Sequence, residues 1–176
     1  MTTNYVSIPK PDSTAGLGIK NKDEITFISF RDIDFNSFPP RGADGITISN
    51  DIAPALKTGA KPFSVYCTKG TVEITSNSEG ENDQKGFVQQ IVFNHPGSSA
   101  EIREFKAKAL NDEFIQLVKH CDTGLVDMLG EPCDGMTMQV NYTGNKDGQT
   151  SAFTFVKSKG REIAIYTGAM PEIPSA

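Results

Sequence analysis

A mainly β fold, a β-sandwich or small barrel with one flanking α-helix, is what this sequence predicts, and three observations carry the prediction. The 176 residues include 16 Gly and 10 Pro but only 37% hydrophobic residues, a turn-rich balance that suits many short strands better than a helical bundle. Runs with apolar side chains at alternate positions recur along the chain, as half-buried strands require. One segment alone carries helix-capping chemistry. The length suits one domain with a proper core.

Residues 1–22 hold Pro9, Pro11, Gly16 and Gly18 with little periodicity and read as an extended N-terminal arm. The domain proper then spans 23–171, with a short tail at 172–176. "EITFISF" (24–30) is a strand rich in Ile, Phe and Thr. "PFSVYCTKGTVEITSN" (62–77) and "GFVQQIVFNH" (86–95) form a β-hairpin whose link, "SEGENDQK", is polar and acidic. In "HPGSSAEIREFKAKALNDEF", Ser98 and Glu101 have capping-box spacing, and Glu101, Glu104, Lys106 and Lys108 follow the sense of the helix dipole. Ile102, Phe105 and Ala109 share one face, predicting a helix over about 99–110 with that face in the core. Asn111 and Asp112 stop it. The following "EFIQLVKHC" either extends the helix or forms a strand, and the Phe-Ile-x-Leu-Val run after a stop favours the strand. "MTMQVNYT" (136–143), "TSAFTFVKS" (150–158) and "REIAIYTG" (161–168), separated by turn residues, read as a three-strand meander.

Residues 31–61, "RDIDFNSFPPRGADGITISNDIAPALKTGAK", are a long excursion of the kind that is commonly functional. Its start sets Asp32, Asp34 and Asn36 at alternate positions, as an EF-hand does. That motif also needs a Gly at its sixth position and a bidentate Glu at its twelfth; Ser37 and Ala43 stand there, and Pro39 and Pro40 interrupt the backbone. The loop also carries Ile33, Phe35, Phe38, Ile46, Ile48, Ile52 and Leu56, which must bury themselves against their own domain or a neighbouring copy.

Net charge is −5, pI is near 5.0, and no Lys/Arg cluster occurs, which argues against a groove-reading nucleic-acid binder. The opening segment lacks the apolar run of a signal peptide and no run approaches transmembrane length, so folding in a reducing cytoplasm is expected. Cys67, Cys121 and Cys133 form no CxxC pair. Cys121 adjoins His120, but zinc would need His95 or another distant ligand. No GxSxG elbow, P-loop or GxGxxG is present; "GLGIKN" (16–21) lacks the third glycine. His120 and Cys121, adjacent on a strand, would point to opposite faces. Asp122 and Asp127 bracket "TGLV" as turn residues do. With no Trp and four Tyr there is no aromatic platform for a carbohydrate. No catalytic residue, metal or cofactor is predicted.

The order of arm, strand, apolar loop, hairpin, helix and closing strands resembles that of the tail tube proteins of bacteriophages, relatives of the tube proteins of contractile injection machines and type VI secretion. The resemblance runs over about 62–171, from "KPFSVYCTKGTVEITS" through "EIREFKAKALNDEFIQLV" to "AFTFVKSKGREIAIYTGAMP". It implies a virion structural protein, made in the host cytoplasm, whose copies stack as hexameric rings into a hollow conduit for DNA. It further implies that arm residues Tyr5, Val6 and Ile8 and the apolar residues of the 31–61 loop contact neighbouring subunits. Partners would be other copies, with tail terminator, baseplate and tape-measure proteins, and DNA passing transiently; no membrane is involved. An acidic lumen would repel phosphate rather than hold it. The alternatives are another ring-forming virion protein (decoration, head–tail joining or tail terminator), a small β-sandwich ligand-binding module, or an enzyme.

Overall fold

Ten strands and one α-helix make up the computed structural model, which describes Tyr5, Ser7, Ile8 and residues 21–121 and 123–174. The strands are β1 Asn21–Ser29, β2 Thr47–Ile48, β3 Phe63–Tyr66, β4 Glu73–Glu79, β5 Gly86–Pro96, β6 Glu113–His120, β7 Val126–Leu129, β8 Met136–Asn145, β9 Gly148–Val156 and β10 Ala164–Tyr166; α1 is Ala100–Ala109. The protein is therefore mainly β with a single α-helix, as its composition and alternation predict.

The sheet path runs β2-β10-β7-β6-β8-β9-β5-β4, with β1 and β3 branching from β6. β6 is the junction. One edge pairs along its length with β1; the other pairs with β8 through Glu113 and Phe114 and with β7 through Gln116–Lys119. Handing over from one partner to another along a single edge lets the β8–β9–β5–β4 wing turn across the β3–β1–β6 wing. The main core lies between these wings: Ile25 and Phe27 of β1, Phe63 and Val65 of β3, Phe114 and Val118 of β6, Ile91 and Phe93 of β5, and Phe153 and Phe155 of β9. Helix α1 supplies Ile102, Phe105 and Ala109, all buried. Phe27 is the centre of an aromatic cluster, with ring contacts to Phe63, Phe93, Phe105, Phe114 and Phe155 between 5.3 and 6.4 Å.

Several local expectations change. The run 62–77 is two strands: β3 turns away at Cys67–Val72 and pairs β1, while β4 alone makes the hairpin with β5. Residues 113–120 are a strand. The helix is capped by Ser99, whose hydroxyl accepts from the Ile102 N–H; Ser98 instead accepts from Arg103. The meander is only a hairpin, because β10 leaves β9 to sit between β7 and β2. β2 and β7 are too short for alternation to reveal, and pairing alone makes them strands.

Gln116 sits between Phe114 and Val118, fully buried, and neither amide atom finds a hydrogen-bond partner among the described residues. An unpaired buried amide costs about 1–3 kcal/mol. Gln116→Met, which keeps the volume, should therefore raise the free energy of unfolding by about 1–2 kcal/mol, whereas Phe27→Ala should lower it by about 3–5 kcal/mol. Urea denaturation followed by circular dichroism measures both; a destabilised Gln116→Met would mean the amide is paired in solution.

Candidate functional site

The 31–61 loop does not project. It folds across the back of β1, β6, β7 and β10, where Ile33, Ile48 and Ile52 join Ile28, Ile115, Leu117, Met128 and Tyr166 in a second core. Ile33 bridges Leu56, and the Tyr166 hydroxyl accepts from the Ile52 N–H and donates to the Ala169 carbonyl. The sequence left two places for the loop's apolar residues to bury, their own domain or a neighbouring copy. Ile33, Ile48 and Ile52 are covered by their own chain, because β1 and β6 expose a second apolar face that must be covered locally. Leu56, Phe35 and Phe38 are partly buried, and Ile46 remains 38% exposed. The calcium-like spacing is turn chemistry. One Asp34 oxygen accepts from the Asn36 N–H at 3.1 Å and the other from the Ser37 hydroxyl at 3.0 Å, the usual work of Asp in a turn.

Of the arm residues, Tyr5 and Ile8 are buried in the main core of their own chain. Tyr5 stacks on Phe63 at 5.0 Å, and its hydroxyl donates to buried Asp112, which also pairs with Arg31. Ile8 adds to the outer edge of β3 through Ile8 N–H to Ser64 O and Tyr66 N–H to Ile8 O, at 2.7 and 2.9 Å. Val6 lies outside the described residues, as does Asp122.

Between the loop and the turn after β7 lies a cleft of about 110 Å³, with Phe35, Phe38, Pro39, Ile48 and Met128 as its apolar wall and Arg41, Glu131 and Arg161 among its polar lining. Arg41 donates to the carbonyls of Glu162 and Gly45 at 2.7 and 3.0 Å, and its burial lowers its pKa. Glu131 is held by the fully buried Lys157 ammonium at 2.8 Å, with Asp134 at 3.6 Å. Burial alone would raise the Glu131 carboxyl, but the hydrogen bond from Lys157 and that from the Arg161 backbone N–H hold it below its ordinary value. Gly160 leaves room for this pair; a Cβ there would collide with both Glu131 Oε1 and Lys157 Nζ.

Of the titratable side chains singled out in the sequence, the structure brings His120 and Asp127 together and holds His95 elsewhere. His95 is buried and its Nδ1 bonds the Tyr66 carbonyl at 2.8 Å. His120 pairs with Asp127 at 2.6 Å. Cys67 is buried, its thiol pKa raised by burial, while Cys121 and Cys133 are exposed. Among the described residues no three His, Cys, Asp or Glu side chains are grouped as metal ligands, and no helix is long and apolar enough to cross a membrane.

The most distinctive surface is the outer face of β4–β5–β9–β8. The registers place Thr75, Gln90, Val156 and Thr137 in one row, and Glu73, Val92, Thr154 and Gln139 in the next. Beyond them come Asn94, Ala152 and Asn141, then Pro96, Thr150 and Thr143. The alternate positions, Ile74, Ile91, Phe155 and Met138, point into the core. The outer rows carry Thr, Gln, Asn, Val and Ala, the charges are Glu73 and Glu79 on the edge strand β4, and no Lys or Arg interrupts them. Natural edge strands often carry charged side chains, Lys above all; β4 carries Glu73 and Glu79 but no Lys. The signal of this face was present in the sequence, since Thr137, Gln139, Asn141 and Thr143 alternate without charge, but only pairing assembles four such strands. Arg41, Arg161 and Glu131, far apart in the chain, carried no sequence signal.

No protein-family model matches the chain, and neither curated proteins nor solved structures give a significant match.

His95 generates a pH prediction. Burial, offset in part by the Tyr66 carbonyl, depresses its pKa below the ordinary 6.5, so the unfolded chain takes up a proton there before the folded one does. Stability should be unaffected by His95 above pH 6.5 and fall below it, with a slope of at most about 1.4 kcal/mol per pH unit. Denaturation midpoints of the wild type and His95→Asn across that range test this; parallel curves would remove His95 as the cause.

Proposed function

We propose that this chain is a structural subunit that polymerises into a hollow conduit for DNA, as a bacteriophage tail tube protein does, in stacked rings that are hexameric by that resemblance. In this reading it is a virion component with no catalytic centre, and its partners are other copies and the proteins that cap and fill a tail. The observation that carries the reading is the outer face of β4–β5–β9–β8, which holds no Lys or Arg. Duplex DNA binds proteins chiefly through Lys and Arg neutralising its phosphates. A wall of hydroxyls, amides and small apolar groups, with acidic groups at one edge, offers hydrated surface without that attraction. The net charge of −5 acts in the same sense and is multiplied in a ring. Among the described residues the edge strand β4 pairs on one side only, an edge that a neighbour's strand could extend.

A second reading has its own observation. The 31–61 loop closes on its own sheet and leaves a lined cleft, as a self-contained β-sandwich ligand-binding module would have. The two differ in oligomeric state. Negative-stain electron microscopy with light scattering on the same sample is expected to show rings or tubes of uniform bore; a 19.1 kDa monomer at every concentration would favour the module. Gln139→Lys with Thr154→Lys places two charges on the proposed wall. Assemblies of this variant should retain short duplex DNA at low salt and release it at high salt, whereas wild-type assemblies should not retain it.

A further inference from the structure

Lys157 occupies a core position. The inward-facing residues of β9 are Ser151, Phe153 and Phe155, and the same alternation carried past the strand end turns Lys157 inward. Long cationic side chains ordinarily keep their tips in water, yet the Lys157 side chain is 0% exposed. Its ammonium meets Glu131 Oε1 at 2.8 Å and Asp134 Oδ2 at 3.6 Å, and donates to the Ser158 carbonyl at 3.2 Å.

A buried ion pair is by itself weak evidence of stability, and the groups around this one do more than neutralise it. Gly160 is not in the left-handed region, so its missing side chain answers to space: a Cβ there would fall on both Glu131 Oε1 and Lys157 Nζ. The Arg161 backbone N–H donates to the same Oε1 at 3.2 Å, which polarises the carboxyl group and is placed to stabilise an oxyanion formed on it. The Ser158 hydroxyl fixes Asp134 Oδ2 at 2.8 Å. An amine, a polarised carboxyl group and a second carboxylate thus meet where water is excluded from the amine.

We propose that Lys157 and Glu131 condense into an intramolecular isopeptide bond. Nζ passes a proton to Asp134 and attacks Glu131 Cδ. The C–N bond forms, and one carboxyl oxygen leaves as water with the two hydrogens that the ammonium gives up, one of them returned by Asp134. Ammonium and carboxylate become a neutral amide, and the pair supplies every atom, so no co-reactant is needed. Direct contact provides the proximity, and burial of Lys157 disfavours both the charged form and hydrolysis of the product. The side chains start as an ion pair, with Glu131 held ionised by Lys157 and the Arg161 N–H. Reaction therefore runs through the minor form in which the proton has crossed, and linking is slow. The bond ties the turn after β7 to the segment after β9, whether or not copies assemble.

Intact-protein mass spectrometry of the full chain, fresh and after prolonged incubation at neutral pH, tests this. The wild type should lose the mass of one water, and a tryptic digest should give a branched peptide joining Glu131 to Lys157, uncut after Lys157. Glu131→Gln keeps the shape and releases ammonia instead, so it should reach the same final mass as the linked wild type. Asp134→Asn should slow linking roughly a hundredfold, and a folded Asp134→Asn protein that links at the wild-type rate would remove Asp134 as the proton carrier. A folded wild type that keeps its full mass after incubation would overturn the bond. So would a water loss that tandem spectra assign to a succinimide at Asp134–Gly135 rather than to the branched peptide.

Discussion

Both faces of the β1–β6 pair are apolar, and the rest of the structure answers that fact. Phe27, Phe114 and Val118 point one way and Ile28, Ile115 and Leu117 the other. A strand buried on both faces needs a layer on each side. The β8–β9–β5–β4 wing and helix α1 cover the first face. Among the described residues no second sheet or α-helix covers the other, and the long loop does that work with Ile33, Ile48 and Ile52. Its length and its many apolar residues are explained by this covering role before any partner is invoked.

The same constraint sets the polar chemistry. Where the loop and the β7 turn meet, Lys157 has been carried inward by the alternation of β9, and Glu131 and Asp134 neutralise it. Removing one member of such a pair strands a buried charge, so the turn at 131–134 is tied to the end of β9. Asp112 performs a similar service at the other side of the sandwich, where Tyr5 and Arg31 converge on it. Tyr5 of the arm is thereby part of the fold.

Function, in the proposed reading, belongs to the surfaces that these layers leave over. The wing's inner face takes the aromatics, so its outer face is free to be polar without Lys or Arg. The loop's remaining rings, Phe35 and Phe38, line a cleft because the isoleucines between them and the sheet are already satisfied.

Composition and alternation by themselves determined the mainly β class, the strand at 24–30, the β8–β9 hairpin and the helix with Ile102, Phe105 and Ala109 inward, since these depend on local periodicity and capping. The incompatibility of Asp32–Asn36 with an EF-hand was also legible, because it rests on residue identities at fixed positions. Only the tertiary structure decided that 62–77 divides between two wings, that β10 leaves β9 for β7 and β2, and that the 31–61 loop covers its own sheet. Each of these turns on which edge or face is left unsatisfied after the other strands have paired. That is a property of the assembled sheet, not of any one segment.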